Sequence, residues 1–282
     1  MCLTCGQHNA EKLWYLDAEK HRIRSLGVFR DMVSRKLNPL IGIGLNLIRA
    51  KRPNYTDRKM PFVSRHLLNY FARTLHGMQF LPDIESANNI IDMSNELALT
   101  PCLCHQVMDR HKGEPPLYRC IAMNIAADIW FKDTSRLDVK PLNKEAAKSI
   151  VAKWRARGSW QSVGWLWDAN VIWVCNCDWR CATYRAPEAR WGGIPSFVVA
   201  AAPRRSDCAG CRECAKWCRH GAIGFGADDK IVVDQARCRG CGLCVEHCPT
   251  GVLVFAPRQT YYDVRTKTVK KLAGGMVNPQ AG

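Results

Sequence analysis

The feature that most constrains this chain is a cysteine pattern that occurs twice in its C-terminal third. Residues 208–218 read CAGCRECAKWC and residues 238–248 read CRGCGLCVEHC, so both segments have the spacing C-x2-C-x2-C-x3-C. Two glycines and a phenylalanine align when the segments are superposed: Gly210 with Gly240, Gly221 with Gly251, and Phe225 with Phe255. The repeated pattern indicates an internal duplication.

Cysteine is abundant throughout the chain, with 16 among 282 residues. Such a density arises either in a secreted scaffold held by disulfides or in a reduced protein whose thiolates bind metal. The segment 1–22 contains no apolar core of signal-peptide length, and the apolar stretch at 39–48 is too short to span a bilayer. We therefore expect a cytoplasmic protein with reduced cysteines and no membrane span.

The spacing of the duplicated cysteines suits a cubane [4Fe–4S] cluster, which offers one iron corner to each of four thiolates. C-x2-C-x2-C turns the backbone round three of these corners, and the fourth ligand has to come from elsewhere. Structural zinc instead favours two CxxC pairs separated by a longer loop. The spacing therefore predicts two [4Fe–4S] clusters in this part of the chain.

Residues 203–257 resemble the bacterial 2[4Fe–4S] ferredoxin family in both motifs and in Pro249, although Arg219 stands where the first motif would have proline. The resemblance implies a pseudo-twofold (βαβ)2 fold, one-electron transfer, and a fourth ligand for each cluster from the other motif. The implied ligand sets are Cys208, Cys211, Cys214 and Cys248 for the first cluster, and Cys238, Cys241, Cys244 and Cys218 for the second.

Two further cysteine islands lie upstream, and a CxC pair in each can place two thiolates on one metal or on neighbouring cluster corners. The islands contain Cys102, Cys104 and Cys120, and Cys175, Cys177 and Cys181. We predict that they hold one or two additional iron–sulfur clusters; a zinc site and free or redox-active thiols are the alternatives. With the N-terminal pair Cys2 and Cys5 as ligands, all 16 cysteines would make four sets of four.

The islands PCLCH and VCNCDWRC, placed before a ferredoxin domain, resemble a group of ferredoxin-like proteins of anaerobes, the polyferredoxins with a CxC element followed by a CNC element. The resemblance implies a helical N-terminal domain and an anaerobic redox setting. Here His105 stands where that group usually has arginine, and Trp179 lies inside the second element.

Apolar periodicity predicts helices over 11–37, 62–76, 83–99 and 144–157, and a short buried strand at 171–174. The expected fold class is α+β, with a mainly helical N-terminal domain that carries an extra cysteine cluster site and a C-terminal pseudo-twofold (βαβ)2 ferredoxin-like domain. The expected parts are a basic helical arm and linker over 1–61, a helical cysteine domain over 62–202, a ferredoxin domain over 203–257 and a basic tail over 258–282.

The formal net charge of +16 suggests an acidic partner, although part of it balances anionic clusters. The sequence has no dinucleotide-binding or phosphate-binding glycine motif and no nucleophile elbow, so we predict no catalytic residue. We predict an electron-transfer subunit that relays single low-potential electrons from a donor, such as a ferredoxin or flavoprotein, to a larger redox-enzyme subunit.

Two other functions fit some of the same features. A reductive activator would use an N-terminal cluster to re-reduce the metal cofactor of a partner. A nucleic-acid-binding iron–sulfur protein would explain the basic charge. Seven of the ten tryptophans lie between Trp154 and Trp191, among the cysteines and away from the basic arms, and this distribution disfavours nucleic acid.

Overall fold

The computed structural model describes residues 14–16, 18, 21, 76–102, 117–124, 126–127, 139–166, 170–178, 196, 198–258, 260–263 and 268–271. Four of the candidate ligands, Cys2, Cys5, Cys104 and Cys181, lie outside these residues. So do most of the helices predicted over 11–37 and 62–76 and most of the arm and tail, and these stay predictions.

The described residues between 76 and 178, which we call the sheet unit, are organised round a six-stranded antiparallel sheet. Its strands are β1 (His76–Phe80), β2 (Leu97–Pro101), β3 (Tyr118–Met123), β4 (Lys140–Pro141), β5 (Trp160–Leu166) and β6 (Asn170–Cys177). They lie in the order β1-β5-β6-β3-β2-β4, and every pairing is antiparallel. β-Branched and aromatic residues in β5 and β6 favour this extended conformation.

Two helices cover one face of the sheet. Helix α1 (Ile84–Met93) begins where the Asp83 side chain accepts a hydrogen bond from the N–H of Ser86, and α2 (Lys144–Ala156) begins at Asn143, which caps it in the same way. Their buried side chains share a hydrophobic core with β3, β5 and β6: Ala87, Ile90, Ile91, Ala147, Val151, Ile121, Val163 and Val174. This core fixes the sheet, since each large aliphatic side chain buried there contributes about 1.5–3 kcal/mol.

Residues 198–258, which we call the C-terminal unit, contain two β–α–β repeats. The first consists of β7 (Val198–Ala201), α3 (Glu213–Trp217) and β8 (Ile223–Phe225), and the second of β9 (Ile231–Val233), α4 (Leu243–Glu246) and β10 (Val254–Pro257). The outer strands β7 and β10 pair, and the inner strands β8 and β9 pair, both antiparallel. A separate hairpin follows, made of β11 (Thr260–Asp263) and β12 (Thr268–Lys271).

The C-terminal unit packs against the face of the sheet that α1 and α2 leave open. One hydrophobic cluster contains Phe80 and Trp160 from the sheet unit together with Cys241 and Leu243 from the C-terminal unit. His220 lies edge-on to Phe80, with 5.4 Å between ring centroids, and 4.9 Å from the ring centroid of Trp160. The second cysteine motif is therefore the side of the C-terminal unit that faces the sheet.

Four sequence predictions can be compared with the described elements. The helix predicted over 144–157 corresponds to α2, and the strand predicted at 171–174 is the centre of the longer β6. The helix predicted over 83–99 is wrong in its last third, because Ser94 ends α1 and Leu97 begins β2. The sequence predicts a mainly helical domain over 62–202; the described part of this range contains seven strands, β1 to β7, and two helices.

Candidate metal centres

The two cysteine motifs have matching backbone conformations. Gly210 and Arg212 in the first motif have φ of 66° and 61°, and Gly240 and Gly242 in the second have φ of 67° and 74°. Left-handed residues placed this close together are typical of backbone turns that direct several N–H groups toward one anion. The duplication seen in the sequence thus extends to the turns that carry the cysteines.

The first motif group, which we define as Cys208, Cys211, Cys214 and Cys248, combines three cysteines of the first motif with the last of the second. Burial raises the pKa of the Cys214 thiol to about 11, and the nearby thiols of Cys248, Cys211 and Cys208 act in the same direction. Cys211 is exposed to solvent, whereas Cys208 and Cys214 are buried. This group lies closer to the protein surface than the second.

The second motif group, which we define as Cys218, Cys238, Cys241 and Cys244, lines one pocket together with Trp217, His220 and Arg239. Burial raises the pKa of the Cys244 thiol well above its usual value, and the thiols of Cys241, Cys238 and Cys218 raise it further. Cys214 also contributes to this shift, so the two motif groups are neighbours. The cysteines of each group are therefore drawn from both motifs.

Cationic side chains surround the second motif group. The guanidinium of Arg258 is buried and donates hydrogen bonds to the carbonyl oxygens of Ser196, at 2.8 Å, and Cys238, at 2.8 Å. Burial lowers the pKa of Arg258 to about 10, so this group stays charged at neutral pH. Burial also lowers the pKa of Arg239, which lines the pocket.

The residues of both motif groups fit [4Fe–4S] clusters. Each group supplies four thiols, which are the donors that such clusters require. Four bound thiolates leave a cluster anionic, and the left-handed turns and buried guanidinium groups compensate negative charge at these positions. Burial raises the pKa of the Cys214, Cys241 and Cys244 thiols, so these three are protonated at neutral pH and release protons when they bind a cluster.

A third set of thiols, the upstream thiol group, consists of Cys102, Cys120, Cys175 and Cys177 in the sheet unit. Register pairs Cys120 on β3 with Cys175 on β6, Cys177 lies two residues further along β6, and Cys102 directly follows β2. All four are buried, with 2%, 7%, 9% and 3% of their surface exposed in chain order. The pKa of Cys120 is affected by Cys102 and Cys175, and that of Cys175 by Cys120 and Cys177, so the four thiols are close neighbours.

Within the described residues, no three His, Cys, Asp or Glu side chains close round one point as the ligands of a single metal ion do. This statement covers all three thiol groups. A cubane cluster holds its thiolates at its outer corners, so its ligands stand farther apart than those of one ion. The described cysteines are all free thiols.

A buried polar network on the helix-covered face of the sheet joins β3, β5 and β6 to helix α4. Asn176, between Cys175 and Cys177, exchanges hydrogen bonds with the backbone and side chain of Arg119. Gln161 donates to Asn176 Oδ1 at 3.0 Å and accepts from Arg155 Nη1 at 2.9 Å. Arg155 then binds both carboxylate oxygens of Glu246 on α4, at 2.6 Å and 2.9 Å.

The sequence reading did not identify Arg119 or Arg155, because nothing in the local pattern distinguishes them from surface cations. Both are buried, with 1% and 4% of their surface exposed. The only local signal is that Arg155 falls on the buried stripe of α2 with Ala147 and Val151, one helical turn apart in each case. Its position indicates a specific partner, which proves to be a carboxylate from the C-terminal unit.

We expect Arg155→Met to destabilise the chain by about 2–3 kcal/mol, because it leaves Glu246 without its bidentate partner; the figure is reduced from the full cost of a broken buried pair because Glu246 is partly exposed. The charge of Arg155 also favours the thiolate of Cys241, so its loss should lower the reduction potential of a cluster bound there. Anaerobic urea unfolding and a potentiometric titration measure the two effects.

Lys153→Met is the matched control for Arg155→Met, since it removes the same charge from an exposed position of the same helix. We expect it to change the free energy of unfolding by less than about 0.5 kcal/mol. Equal losses in the free energy of unfolding for the two variants would show that the ion pair with Glu246 does not stabilise the chain.

Residues 201–254 match the family model of the 4Fe-4S dicluster domain. The match covers less than a quarter of the chain and contains all eight cysteines of the two motifs. It implies [4Fe–4S] clusters and supports a role in iron–sulfur electron transfer. Neither a curated protein nor a solved structure matches the chain.

In the part of the chain that the structure describes, no helix is long and apolar enough to cross a membrane.

Proposed function

We propose that the chain is an electron-transfer protein whose C-terminal unit holds two [4Fe–4S] clusters. The first motif group binds one cluster and the second motif group binds the other, so that Cys248 and Cys218 each serve the cluster of the opposite motif. The observation that supports this most strongly is the pocket lined by Cys218 together with Cys238, Cys241 and Cys244.

The clusters supply reversible one-electron chemistry, and the side chains control access to it. The indole of Trp217 stacks on His247 with 3.5 Å between ring centroids, and Trp217 also lines the pocket of the second motif group. These rings and the sheet unit exclude water from the second motif group. The first motif group, which includes the exposed Cys211, is open to solvent. Electrons therefore exchange with partners at the first motif group.

The proposed partners are an electron donor, such as a ferredoxin or flavoprotein, and a larger redox-enzyme subunit. Near Cys211 the basic side chains are paired with acidic ones: Arg212 with Asp229 at 2.6 Å, and Arg205 with Asp228. A partner that docks there meets a nearly neutral surface, so its binding depends less on salt than contact with a uniformly basic face would. We also propose that the protein works in an anaerobic cytoplasm, because oxygen would reach and degrade a cluster at the exposed first motif group.

A redox titration of the full chain, followed by electron paramagnetic resonance, tests the proposal. The chain should accept one electron at each ferredoxin-type cluster, and the two reduced clusters should show the broadened signal of neighbouring spins. Reduction by two electrons at once, or catalytic turnover of a substrate by the isolated chain, would contradict a role in single-electron transfer.

A further inference from the structure

We propose that the upstream thiol group, Cys102, Cys120, Cys175 and Cys177, binds a third [4Fe–4S] cluster on the face of the sheet that contacts the C-terminal unit. The inference rests on the proposed function, because the third site extends the same electron path into the sheet unit. It assigns four of the six upstream cysteines to one site, whereas Cys104 and Cys181 lie outside the described residues.

The sheet itself assembles this group. Cys120 and Cys175 are direct partners across β3 and β6, and the alternation of side chains along β6 places Cys177 on the same face as Cys175. The N–H of Cys102 donates to Leu117 O at 2.8 Å, which holds the end of β2 beside the start of β3. Three strands thus bring together cysteines that lie far apart in the chain, from Cys102 to Cys177.

Burial of four thiols in one place indicates a ligand and not a plain hydrophobic core. The four thiols belong to a hydrophobic cluster that also contains the fully buried Phe80 and Trp160. Met78, Trp173 and Trp217 pack against the edge of this hydrophobic cluster. A dry, aromatic shell of this kind is what low-dielectric cluster sites use to limit solvent access. On the opposite face of β3, the buried Arg119 is paired to Asp178 at 2.9 Å and holds the backbone of Asn176, the residue between Cys175 and Cys177.

Iron–sulfur chemistry is favoured over zinc by the site's position. Cys241 of the second motif group belongs to the same hydrophobic cluster as the upstream thiol group, so the two sites share one buried layer. A structural zinc site has no need of such a neighbour, since it exchanges no electrons. A cluster held by the upstream thiols would accept one electron from a cluster held by the second motif group, and this transfer would require no proton or additional reactant.

The relay then has a direction defined by exposure. The first motif group is partly open to solvent at Cys211, the second is enclosed between the two units, and the upstream thiol group is buried in the sheet unit. The third cluster therefore forms the inner end of the described path. A second partner would receive or deliver electrons on the side of the sheet unit.

The test compares the full chain, assembled without oxygen, with the double variant Cys175→Ala/Cys177→Ala. We expect about twelve iron atoms per wild-type chain and about eight in the variant, with the paired-spin signal of the two ferredoxin-type clusters unchanged. Val174→Ala is the matched control, because it removes buried atoms from the same strand on the helix-covered face; it should keep the wild-type iron content.

Other outcomes separate this inference from the proposed function. About eight iron atoms in both wild type and double variant would overturn the third cluster and leave the two-cluster protein intact. One zinc per wild-type chain that disappears in the variant would also overturn it. A wild-type chain without iron would overturn the proposed function as well. If the double variant does not fold, the wild-type iron and zinc contents decide between these outcomes.

Discussion

The Cys218→Ala variant is expected to lose the cluster of the second motif and to keep the cluster of its own motif. The reason is that Cys218 lines the pocket of Cys238, Cys241 and Cys244, although it belongs to the first motif in the sequence. A cubane that loses one of its four thiolate ligands is released or degraded. We therefore expect the loss of up to about four iron atoms per chain. Iron analysis measures this loss, and electron paramagnetic resonance should show that the paired-spin signal of the two ferredoxin-type clusters disappears.

Cys248→Ala is the mirror control for Cys218→Ala. Cys248 is among the thiols that raise the pKa of Cys214, so its removal should affect the first motif group and spare the second. The two variants should also differ in the environment of the surviving cluster, which is enclosed in one case and open to solvent in the other. If each variant lost the cluster of its own motif, the interleaved ligand sets would be wrong.

Gly242→Ala is expected to destabilise the chain by about 3 kcal/mol, the combined effect of left-handed strain and overpacking. Gly242 has φ of 74°, and a Cβ at this position would collide with the carbonyl oxygen of Pro82 and approach the ring of Phe255 at 2.7 Å. Pro82 belongs to the sheet unit, so the clash separates the two units where the second motif group is enclosed. Anaerobic urea unfolding measures the loss in free energy of unfolding.

The rest of the chain offers a control for the strain alone. Gly221 has a similar φ of 64°, and nothing lies within 4 Å of a Cβ built there. Gly221→Ala should therefore cost only about 1 kcal/mol. The aligned residue of Gly242 in the first motif is Arg212, which adopts φ of 61° with a side chain present. Equal losses in the free energy of unfolding for the two glycine variants would show that the clash with Pro82 adds nothing to the left-handed strain.

The sequence was most informative where the chemistry is local. The spacing of the eight cysteines between Cys208 and Cys248 predicted the dicluster domain, because a cubane needs its ligands at fixed short intervals. Helix α2 was predictable for a similar reason, since Asn143 at its start and the apolar residues along one side act within a few turns.

The sheet unit was harder to predict because its contacts are not local. The interval between α1 and β2 is short, and Ala98 continues the apolar stripe of α1 although it belongs to a strand. The pairing of Cys120 with Cys175 depends on the register of two strands that are distant in the chain, and no single-sequence pattern contains that register. The ion pair of Arg155 with Glu246 likewise joins two distant segments across the boundary between the units.

The most direct test of the two-cluster assignment is the iron and acid-labile sulfide content of the full chain, purified without oxygen, together with that of the Cys218→Ala and Cys248→Ala variants. The account predicts at least about eight iron and eight sulfide in the wild type and a loss of up to about four of each in either variant. A folded wild-type chain that contains zinc or no metal, or variants that keep the full iron content, would contradict it.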